Sequence, residues 1–433
     1  MGYSQALSGL GAASDELDTI GNNIANSSTV GFKSGTTIFA DMYANTVTNA
    51  VANDEGIGVR TVGVQQNFGQ GTYTQTGNPS DLAIQGNGFF CMSVNGVAQY
   101  SRNGQFHLDP NNYIVNAEGA NLTGYPANAN GVITTATPVP LQITQGSIPP
   151  MQSTTITSNG INLDSSVGTP TVTPFDPTNS NSYTYSTQAD TYDSLGNKHS
   201  VVLYFVRDAQ PTPPVTPATV NYSVYGSEDG TLITPTAPAT TAGLVGDLKF
   251  NSTGSLVNFT DANGNVGTGA NAYSVSMSLT STSGSNTPFP IALNLQGATA
   301  FAGVGTSAAV KPDGYPPGNY AGMTILADGT VEGVYSNNET LVFGRVALAN
   351  FVNPNGLKPV GNNEWVATQD SGPAEIGTPG TGTLGSLLDG QLENSNVDLT
   401  TNLVDLITAQ RFYQANAQTV KTQNTVDQTL LNM

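Results

Sequence analysis

Apolar side chains near the start of the chain recur with heptad spacing. The segment 4–25 contains no proline, and its large aliphatic residues recur seven positions apart. The a and d positions of this repeat are Leu7, Leu10, Ser14, Leu17, Gly21 and Ile24. The pattern predicts an N-terminal α-helix with a narrow apolar stripe, which small or polar residues interrupt.

A second heptad stripe runs along the end of the chain. The segment 396–432 contains neither proline nor glycine, and its stripe alternates steps of four and three residues. The stripe consists of Leu399, Leu403, Leu406, Gln410, Tyr413, Ala417, Val420, Asn424, Asp427 and Leu431. Ser395 and Asp398 predict the helix start, with the Ser395 hydroxyl accepting hydrogen bonds from free amides of the first turn. At about 1.5 Å per residue, the helix would be about 50 Å long.

Two interpretations of these stripes stay open. Each stripe could pack against the chain's own core, or the two could form a surface on which subunits assemble. A narrow stripe with polar interruptions suits a partner helix better than a globular sheet. We therefore predict paired, coiled-coil-like terminal helices and a subunit assembly seam. The assembly seam comprises Leu7, Leu10, Leu17, Ile24, Leu399, Leu403, Leu406, Tyr413, Val420 and Leu431.

Between the helices, short apolar and β-branched runs separated by turn residues predict a β-rich middle. Strand candidates are Thr72–Val94, Tyr113–Leu122, Ser200–Arg207, Thr219–Tyr225 and Tyr273–Thr280. The composition shifts toward Thr, Ser, Pro and Asn after about residue 150 and shifts back from about residue 313. This predicts a mostly β, nested multidomain fold with long terminal α-helices. Its parts are a terminal helical assembly domain (1–30 and 395–433), connecting segments (31–71 and 383–394), a β-rich domain (72–150 and 312–382) and an inserted outer β-rich domain (151–311).

Charge and composition exclude several classes of partner. Only 9% of residues are charged, against roughly 25% in ordinary soluble domains. With a net charge of -19 and 11 Lys and Arg residues, the chain lacks the basic surface that nucleic acid or an anionic membrane requires. No segment approaches the roughly 18 apolar residues of a membrane span. The first residues lack the features of a signal peptide. We expect no nucleic-acid partner, no membrane insertion and no cleaved signal peptide.

Side chains that could perform chemistry are few and scattered. His107 and His199 lie far apart, and the single cysteine, Cys91, sits in an apolar stretch that predicts a buried, inert thiol. The chain contains no G-x-S-x-G, P-loop or H-E-x-x-H motif. The segment 261–265 resembles the start of a calcium loop but lacks the distal Glu, so an Asx-type turn is the better interpretation. We predict no catalytic, cofactor-binding or metal site, although a pair of acidic residues acting as in glycoside hydrolases stays open.

Motifs at both ends of the chain resemble those of a known family. The segments Asn22–Lys33, Leu392–Leu399 and Gln410–Asn416 are similar to signature sequences of the bacterial flagellar rod, hook and hook-associated axial proteins. The motif residues are Asn22, Asn23, Asn26, Gly31, Phe32, Lys33, Ser395, Asn396, Asp398, Gln410 and Arg411. Gly31 is expected to allow a chain reversal after the first helix, and Phe32 to anchor its exit.

Further segments resemble the hook proteins within this family. The segments Phe68–Phe90 and Tyr100–Gly104 are of a kind found across the axial proteins, whereas Tyr192–His199, Tyr335–Asn337 and Leu348–Leu357 are similar to hook proteins in particular. Asn402 is a departure, because hook proteins often carry an acidic residue there. One surface ion pair contributes only about 0–1 kcal/mol, so this departure does not weaken the resemblance.

The resemblance implies a non-enzymatic subunit, without cofactors, that polymerises with copies of itself into a short, curved tube outside the cell. Such a tube is a universal joint that transmits torque from rod to filament. The implied partners are the hook cap protein, the distal rod protein, the hook-associated junction protein and the flagellar type III export apparatus, which needs no cleaved signal peptide. The alternatives are a distal rod or hook-associated protein, or a secreted β-rich adhesin or carbohydrate-active protein.

Overall fold

The computed structural model describes residues 2–43, 56–134, 137–158, 160–209, 219–235, 238–267, 269–281, 284–285, 287–306 and 310–431. The chain divides into two compact units. The first unit comprises Met1–Gln145, Ala321–Val334 and Thr340–Met433, and the second comprises Gly146–Tyr320 and Tyr335–Glu339. Both ends of the chain therefore belong to the first unit.

Two long helices form the ends of the described chain, as predicted. Helix α1 spans Gly2–Ala25 and helix α2 spans Leu399–Leu431. The predicted cap of α2 was wrong. The Asp398 carboxylate accepts hydrogen bonds from the amides two and three residues further on, at 2.9 and 3.2 Å, whereas the Ser395 hydroxyl accepts from the Val397 amide, ahead of the helix. A carboxylate is the stronger cap because its charge also interacts favourably with the helix dipole.

The two helices contact each other within the first unit. Asn23 Nδ2 donates a 3.2 Å hydrogen bond to Asn402 Oδ1, and a Cβ added to Gly9 would lie 3.0 Å from side-chain atoms of Asn416. These contacts are fourteen residues apart on each helix and occur in opposite order, so α1 and α2 run antiparallel. Among the described residues, no helix is both long and apolar enough to cross a bilayer.

Short strands recur throughout the remaining described chain. Before the second unit these are β1 (Gly35–Tyr43), β2 (Gly56–Gln66), β3 (Tyr73–Gln75), β4 (Leu82–Gln85), β5 (Phe89–Val94), β6 (Val97–Ser101), β7 (His107–Leu108), β8 (Ile114–Val115), β9 (Asn121–Pro126) and β10 (Val139–Pro140). The second unit contributes β11 (Thr155–Thr157), β12 (Tyr185–Tyr192), β13 (Lys198–Arg207), β14 (Val220–Glu228), β15 (Thr231–Leu232), β16 (Leu244–Phe250), β17 (Leu256–Asp261), β18 (Ser274–Leu279), β19 (Phe289–Asn294) and β20 (Lys311–Pro312). The rest are β21 (Tyr320–Ile325), β22 (Thr330–Tyr335), β23 (Thr340–Val346), β24 (Leu348–Asn350), β25 (Lys358–Gly361), β26 (Glu364–Val366), β27 (Glu375–Gly377), β28 (Ser386–Asp389) and β29 (Gln391–Glu393).

The strand pairing of the first unit brings distant parts of the chain together. Strands β1 and β2 form an antiparallel pair beside α1. Among the described residues, the largest sheet has 13 strands, with β21-β22-β23-β9-β5-β6-β26-β25 along its main path. Strand β29, just before α2, pairs with β3, so that Glu393 lies opposite Tyr73. The segment entering α2 is thereby hydrogen-bonded to the segment that follows β2.

Alternating burial accounts for the strands of the second unit. On β13, every second residue from His199 to Phe205 is buried, as expected for a strand with one face on the core. A six-stranded sheet contains β12-β13-β14-β16-β17, and a four-stranded sheet contains β18-β19-β11-β20. Buried side chains of both sheets, such as Phe205 and Ile291, belong to one hydrophobic core. Strands β13, β14 and β18 confirm the three strands predicted here.

An aromatic cluster fills part of the core of the first unit. Trp365, the single tryptophan of the chain, is 2% exposed. Its ring packs edge-on against Phe68 and Phe89, with centroids 5.6 and 5.8 Å away. Trp365 Nε1 donates a 2.6 Å hydrogen bond to Gln66 Oε1. Tryptophan fluorescence therefore reports on the folding of the first unit alone.

Candidate assembly site

The two terminal motifs meet in one place, which we call the terminal junction. It consists of residues 26–35, which follow α1, and residues 391–398, which precede α2. The Asn396 amide donates a 3.4 Å hydrogen bond to the carbonyl of Phe32, whose ring is half-buried. Residues more than three hundred positions apart in the sequence are thus directly bonded.

The chain leaves α1 through a turn that its asparagines hold. Asn26 Nδ2 donates to the carbonyl and side-chain oxygens of Asn22 at 3.0 and 2.9 Å, and Thr29 Oγ1 donates to Asn26 Oδ1 at 3.1 Å. Gly31 then has a φ of 70°, and a Cβ there would lie 2.7 Å from the backbone carbonyl carbon of Arg102. The reversal predicted at Gly31 is confirmed, and only glycine suits both the positive φ and the close approach.

A buried ion cluster lies at the centre of the terminal junction. The Glu393 carboxylate accepts a 2.7 Å hydrogen bond from Lys33 Nζ and a 3.2 Å hydrogen bond from Arg102 Nη1. The three residues are between 1% and 3% exposed. Burial lowers the pKa of Lys33 and of Arg102, and the negative charge of Glu393 opposes this effect. The cluster joins a residue after α1, a residue that follows β6 and a residue just before α2.

Backbone groups bond most of the remaining polar atoms of this cluster, although Arg102 Nε is buried without a hydrogen-bond partner among the described residues. Lys33 Nζ also donates to the Gly69 carbonyl at 2.8 Å. The Gly71 amide donates to Glu393 Oε1 at 2.9 Å, and the Gly31 amide donates to the Glu393 carbonyl at 2.8 Å. Such hydrogen bonds offset part of the cost of burying the charges of an ion pair. The junction therefore depends on all these segments being present together.

Two motif asparagines bind backbone groups on either side of the ion cluster. Asn23 exchanges two 2.8 Å hydrogen bonds with the amide and carbonyl of Gly35. Asn396 accepts from the Ser34 amide at 2.8 Å and donates to the Asn67 carbonyl at 2.7 Å. Because each side chain replaces a backbone partner, these residues fix the chain between the end of α1 and the start of β1.

The predicted assembly seam lies largely on the surface of the single chain. Its exposed members are Leu7, Leu399, Leu403 and Tyr413, its half-buried members are Leu10, Leu17, Ile24, Leu406 and Val420, and the side chain of Leu431 lies outside the described residues. The motif residues Gln410 and Arg411 are also exposed. On α1 the chain buries a different face, formed by Ala6, Ala12, Ala13, Ile20 and Asn23. The seam stays a prediction that only an assembled polymer can test.

Sequence reasoning missed the ion cluster, although all three members lie in segments that carry the resemblance. Lys33 and Glu393 are 360 residues apart, so no local spacing connects them. The available signal is compositional. In a chain with only 11 Lys and Arg residues, a lone basic residue beside glycine and aromatic residues is a candidate for a buried charge.

The cysteine, the calcium-loop-like segment and the two histidines weighed in the sequence analysis lie outside the terminal junction. Cys91 is buried on β5, and burial raises the pKa of its thiol to about 12, which fits the predicted inert thiol. Asp261 Oδ1 accepts from the amides two and four residues further on, at 2.9 and 2.8 Å, and forms the predicted Asx-type turn. His107 lies on β7 in the first unit, and His199 lies on β13 in the second.

Four family descriptions match successive parts of the chain. "Flagella basal body rod protein" matches residues 5–33 and "Flagellar hook protein FlgE/F/G D1 domain" matches residues 83–163. "Flagellar basal body protein FlaE D2 domain" matches residues 162–315, and "Flagellar basal body rod FlgEFG protein C-terminal" matches residues 388–433. The first and last of these matches include both sides of the terminal junction.

Relatives that match over nearly their whole length are flagellar hook proteins. Flagellar hook protein FlgE of Escherichia coli is 43% identical, with 100% of both chains covered. Flagellar hook protein FlgE of Borreliella burgdorferi is 30% identical, over 99% of this chain and 98% of the relative. The crystal structure of Helicobacter pylori flagellar hook protein FlgE2 shares the fold, with a TM-score of 0.50 at 14% identity over 72% of this chain and 98% of that one. The chain therefore belongs to the flagellar hook protein FlgE family, whose members are structural subunits of the hook and not enzymes.

Proposed function

We propose that the chain polymerises into the hook tube through its terminal helices, which act as an antiparallel, coiled-coil-like pair. The observation that carries this proposal is the number of large apolar side chains exposed around α2. These are Leu399, Leu403, Val404, Ile407, Phe412, Tyr413 and Val426. So many exposed apolar side chains on one helix favour an interaction surface, and because they lie on several sides of the helix, we propose that neighbouring copies of the chain surround it.

The length and surroundings of α2 support the same proposal. The helix has 33 residues, which corresponds to about 50 Å. Among its described side chains, Ala409 alone is buried. A helix that buries so little in its own chain gains little tertiary stabilisation. Packing against the helices of neighbouring subunits supplies what is missing.

The proposed layers of the tube follow the domain boundaries predicted from the sequence. The helical assembly domain (1–30 and 395–433) forms the inner wall, and the connecting segments (31–71 and 383–394) lead outward. The β-rich domain (72–150 and 312–382) lies next, and the inserted domain (151–311) lies outermost. The terminal junction supports this order because its buried ion cluster joins the segment after α1 to the segment before α2.

The same proposal gives the polymer its place in the flagellum. It lies outside the cell between the distal rod protein and the hook-associated junction protein, and it grows beneath the hook cap protein. The subunit reaches this place through the flagellar type III apparatus without a cleaved signal peptide. The resemblance of Asn22–Lys33 to the axial proteins supports this route. The single cysteine also fits, because a chain without an internal disulfide can pass unfolded through a narrow channel.

Deleting most of the second unit tests whether the first unit is sufficient for assembly. The amides and carbonyls of Met151 and Tyr315 bond each other at 3.0 and 3.1 Å, so a short Gly-Ser bridge can replace residues 152–314. We expect the variant to form tubes that are straighter than the parent's or lack uniform curvature. The outer contacts that slide during bending would be lost, while the helices would stay. Electron microscopy of the assembled material measures the outcome.

The deletion needs a control for folding and a control for mechanism. Tryptophan fluorescence of Trp365 verifies that the first unit is folded. Adding Leu403→Asp to the deletion should abolish the tubes, because the charge would enter the proposed seam. A folded deletion variant that forms no tube under any assembly condition would show that the terminal helices are not sufficient.

A further inference from the structure

A buried histidine lies among three carboxylates in the second unit. His199, near the start of β13, is 6% exposed. Its Nδ1 lies 2.9 Å from Asp229 Oδ2 and 3.5 Å from Glu228 Oε1, and its Nε2 lies 3.5 Å from Asp193 Oδ2. The strand pairing of β13 with β14 and the turn before β13 bring these groups together. The cluster is separate from the terminal junction.

Negative charge exceeds positive charge in this cluster. Glu228 is 7% exposed and Asp193 is 0% exposed. In the described part of the chain, the ion pairs of Glu228 and Asp229 are with His199, since the neighbouring Lys198 pairs with Asp190 at 2.7 Å. One imidazolium at most compensates several carboxylates. A buried excess of this kind favours an additional cation.

One oxygen of the cluster is buried and has no hydrogen-bond partner. Glu228 Oε2 accepts from the Thr280 amide at 2.8 Å, whereas Glu228 Oε1, which faces His199 Nδ1, accepts no hydrogen bond in the described part of the chain. Burial also raises the pKa of the Glu228 carboxyl above its ordinary value. Asp229 shows the same division, because its Oδ1 accepts from the Ser200 amide at 2.8 Å while its Oδ2 faces the histidine. Each carboxylate therefore binds a backbone amide through one oxygen, and its other oxygen lies near His199 Nδ1.

Asp193 lies beyond the other ring nitrogen, with its Oδ2 3.5 Å from His199 Nε2, which forms no hydrogen bond among the described residues. Its Oδ1 accepts from the amides of Leu195 and Asn197 at 2.9 Å each, and its Oδ2 accepts from Ser281 Oγ at 3.1 Å. The negative charge of a nearby carboxylate favours the proton on Nε2 and thereby leaves the lone pair on Nδ1. That lone pair would then be directed toward Glu228 and Asp229.

We propose that His199 Nδ1, Glu228 Oε1 and Asp229 Oδ2 bind one zinc ion. These three atoms lie within 4.8 Å of one another, and a tetrahedral ion with bonds of about 2.0–2.1 Å spaces its ligands about 3.3 Å apart. The distances from His199 Nδ1 to Asp229 Oδ2 and Glu228 Oε1, 2.9 and 3.5 Å, are close to this spacing. One nitrogen and two carboxylate oxygens suit zinc better than calcium or magnesium, which prefer oxygen alone. The side chain of Asp229 is 53% exposed, so water can reach a fourth position.

Titration of the purified full chain with zinc chloride, after removal of metal with EDTA, tests the proposal. Calorimetry should give one zinc per chain, and zinc should raise the melting temperature of the second unit. Asp229→Asn retains an oxygen for the Ser200 amide but loses the charged ligand. It should bind zinc at least about tenfold more weakly, a loss that even residues behind metal ligands cause. Asp190→Asn, which removes an acidic residue of the neighbouring strand outside the cluster, should bind like the parent.

A loss of zinc binding must be distinguished from a loss of folding. Circular dichroism verifies that both variants keep the secondary structure of the parent. If the parent binds no zinc, the cluster is a buried imidazolium with its counter-ions, and the proposal is wrong. It is equally wrong if Asp229→Asn binds zinc as tightly as the parent, because the metal would then sit elsewhere on this acidic chain.

Discussion

The Lys33→Met variant is expected to unfold its first unit with a free energy about 3 kcal/mol lower than that of the parent chain, the lower end of what breaking a buried ion pair costs. Lys33 and Glu393 are joined at 2.7 Å with both side chains 0% exposed. Methionine fills a similar volume but leaves the carboxylate with Arg102, at 3.2 Å, as its remaining cationic partner among the described residues, beside the Gly71 amide. The Gly69 carbonyl also loses its donor. Denaturant titration followed by Trp365 fluorescence measures the effect in the unit concerned.

Arg345→Met is the matched control, because it also removes one cation from an ion pair of the first unit. Arg345 and Asp328 are 2.9 Å apart, and their side chains are 30% and 51% exposed. Solvent screens such a pair, so the expected loss is under about 1 kcal/mol. Equal losses for the two variants would mean that burial does not set the strength of the Lys33 pair. The terminal junction would then not be the fixed point that the proposed assembly requires.

The Leu403→Asp variant is expected to remain folded as a monomer and to form no tubes. Leu403 is 44% exposed on α2, so an aspartate there meets water in the single chain. In the proposed polymer the same carboxylate would be buried without a partner, at a cost of about 3 kcal/mol or more for each subunit. A loss of this size raises the concentration needed for assembly on the order of 100-fold. Sedimentation and electron microscopy measure the assembled fraction.

Val352→Asp controls for the added charge. Val352 is 80% exposed in the first unit and lies outside both helices. We expect this variant to assemble at nearly the concentration of the parent, since it leaves the seam unchanged. Normal tubes from Leu403→Asp would place the α2 stripe outside the interface. Failure of both variants to assemble would point to net charge instead of a specific seam.

The two helices and several strands could be predicted because their signals are local. Segments without proline and with heptad spacing gave α1 and α2 nearly to their ends. Strand β13 follows from its run of β-branched and aromatic residues. Each of these patterns lies within a short segment, so it predicts a helix or strand without knowledge of the tertiary contacts.

The face of α1 that the chain buries could not be predicted in the same way. The heptad stripe gives Leu7 and Leu10, whereas the structure buries the smaller Ala6 and Ala13. The reason is that strands β1 and β2 and helix α2 pack against α1, and small residues allow such neighbours to approach closely. A stripe of large side chains beside that face is then left for another molecule to cover.

The polar clusters depend on tertiary structure, and sequence spacing gives no sign of them. Glu393 meets Lys33 because β29 pairs with β3. His199 meets Glu228 and Asp229 because β13 pairs with β14 and a turn follows. Each residue is unremarkable in its own segment. Long-range pairing is required before its burial, its charge and its partners can be stated.

A helical reconstruction by cryo-electron microscopy of tubes grown from the purified full chain tests the central claim most directly. The account predicts that α1 and α2 line the inner wall, that Leu403 and Phe412 are buried against neighbouring subunits, and that the second unit lies on the outside. A tube whose inner wall is formed by the second unit would contradict the account. So would a tube in which Leu403 and Phe412 of α2 remain exposed to solvent.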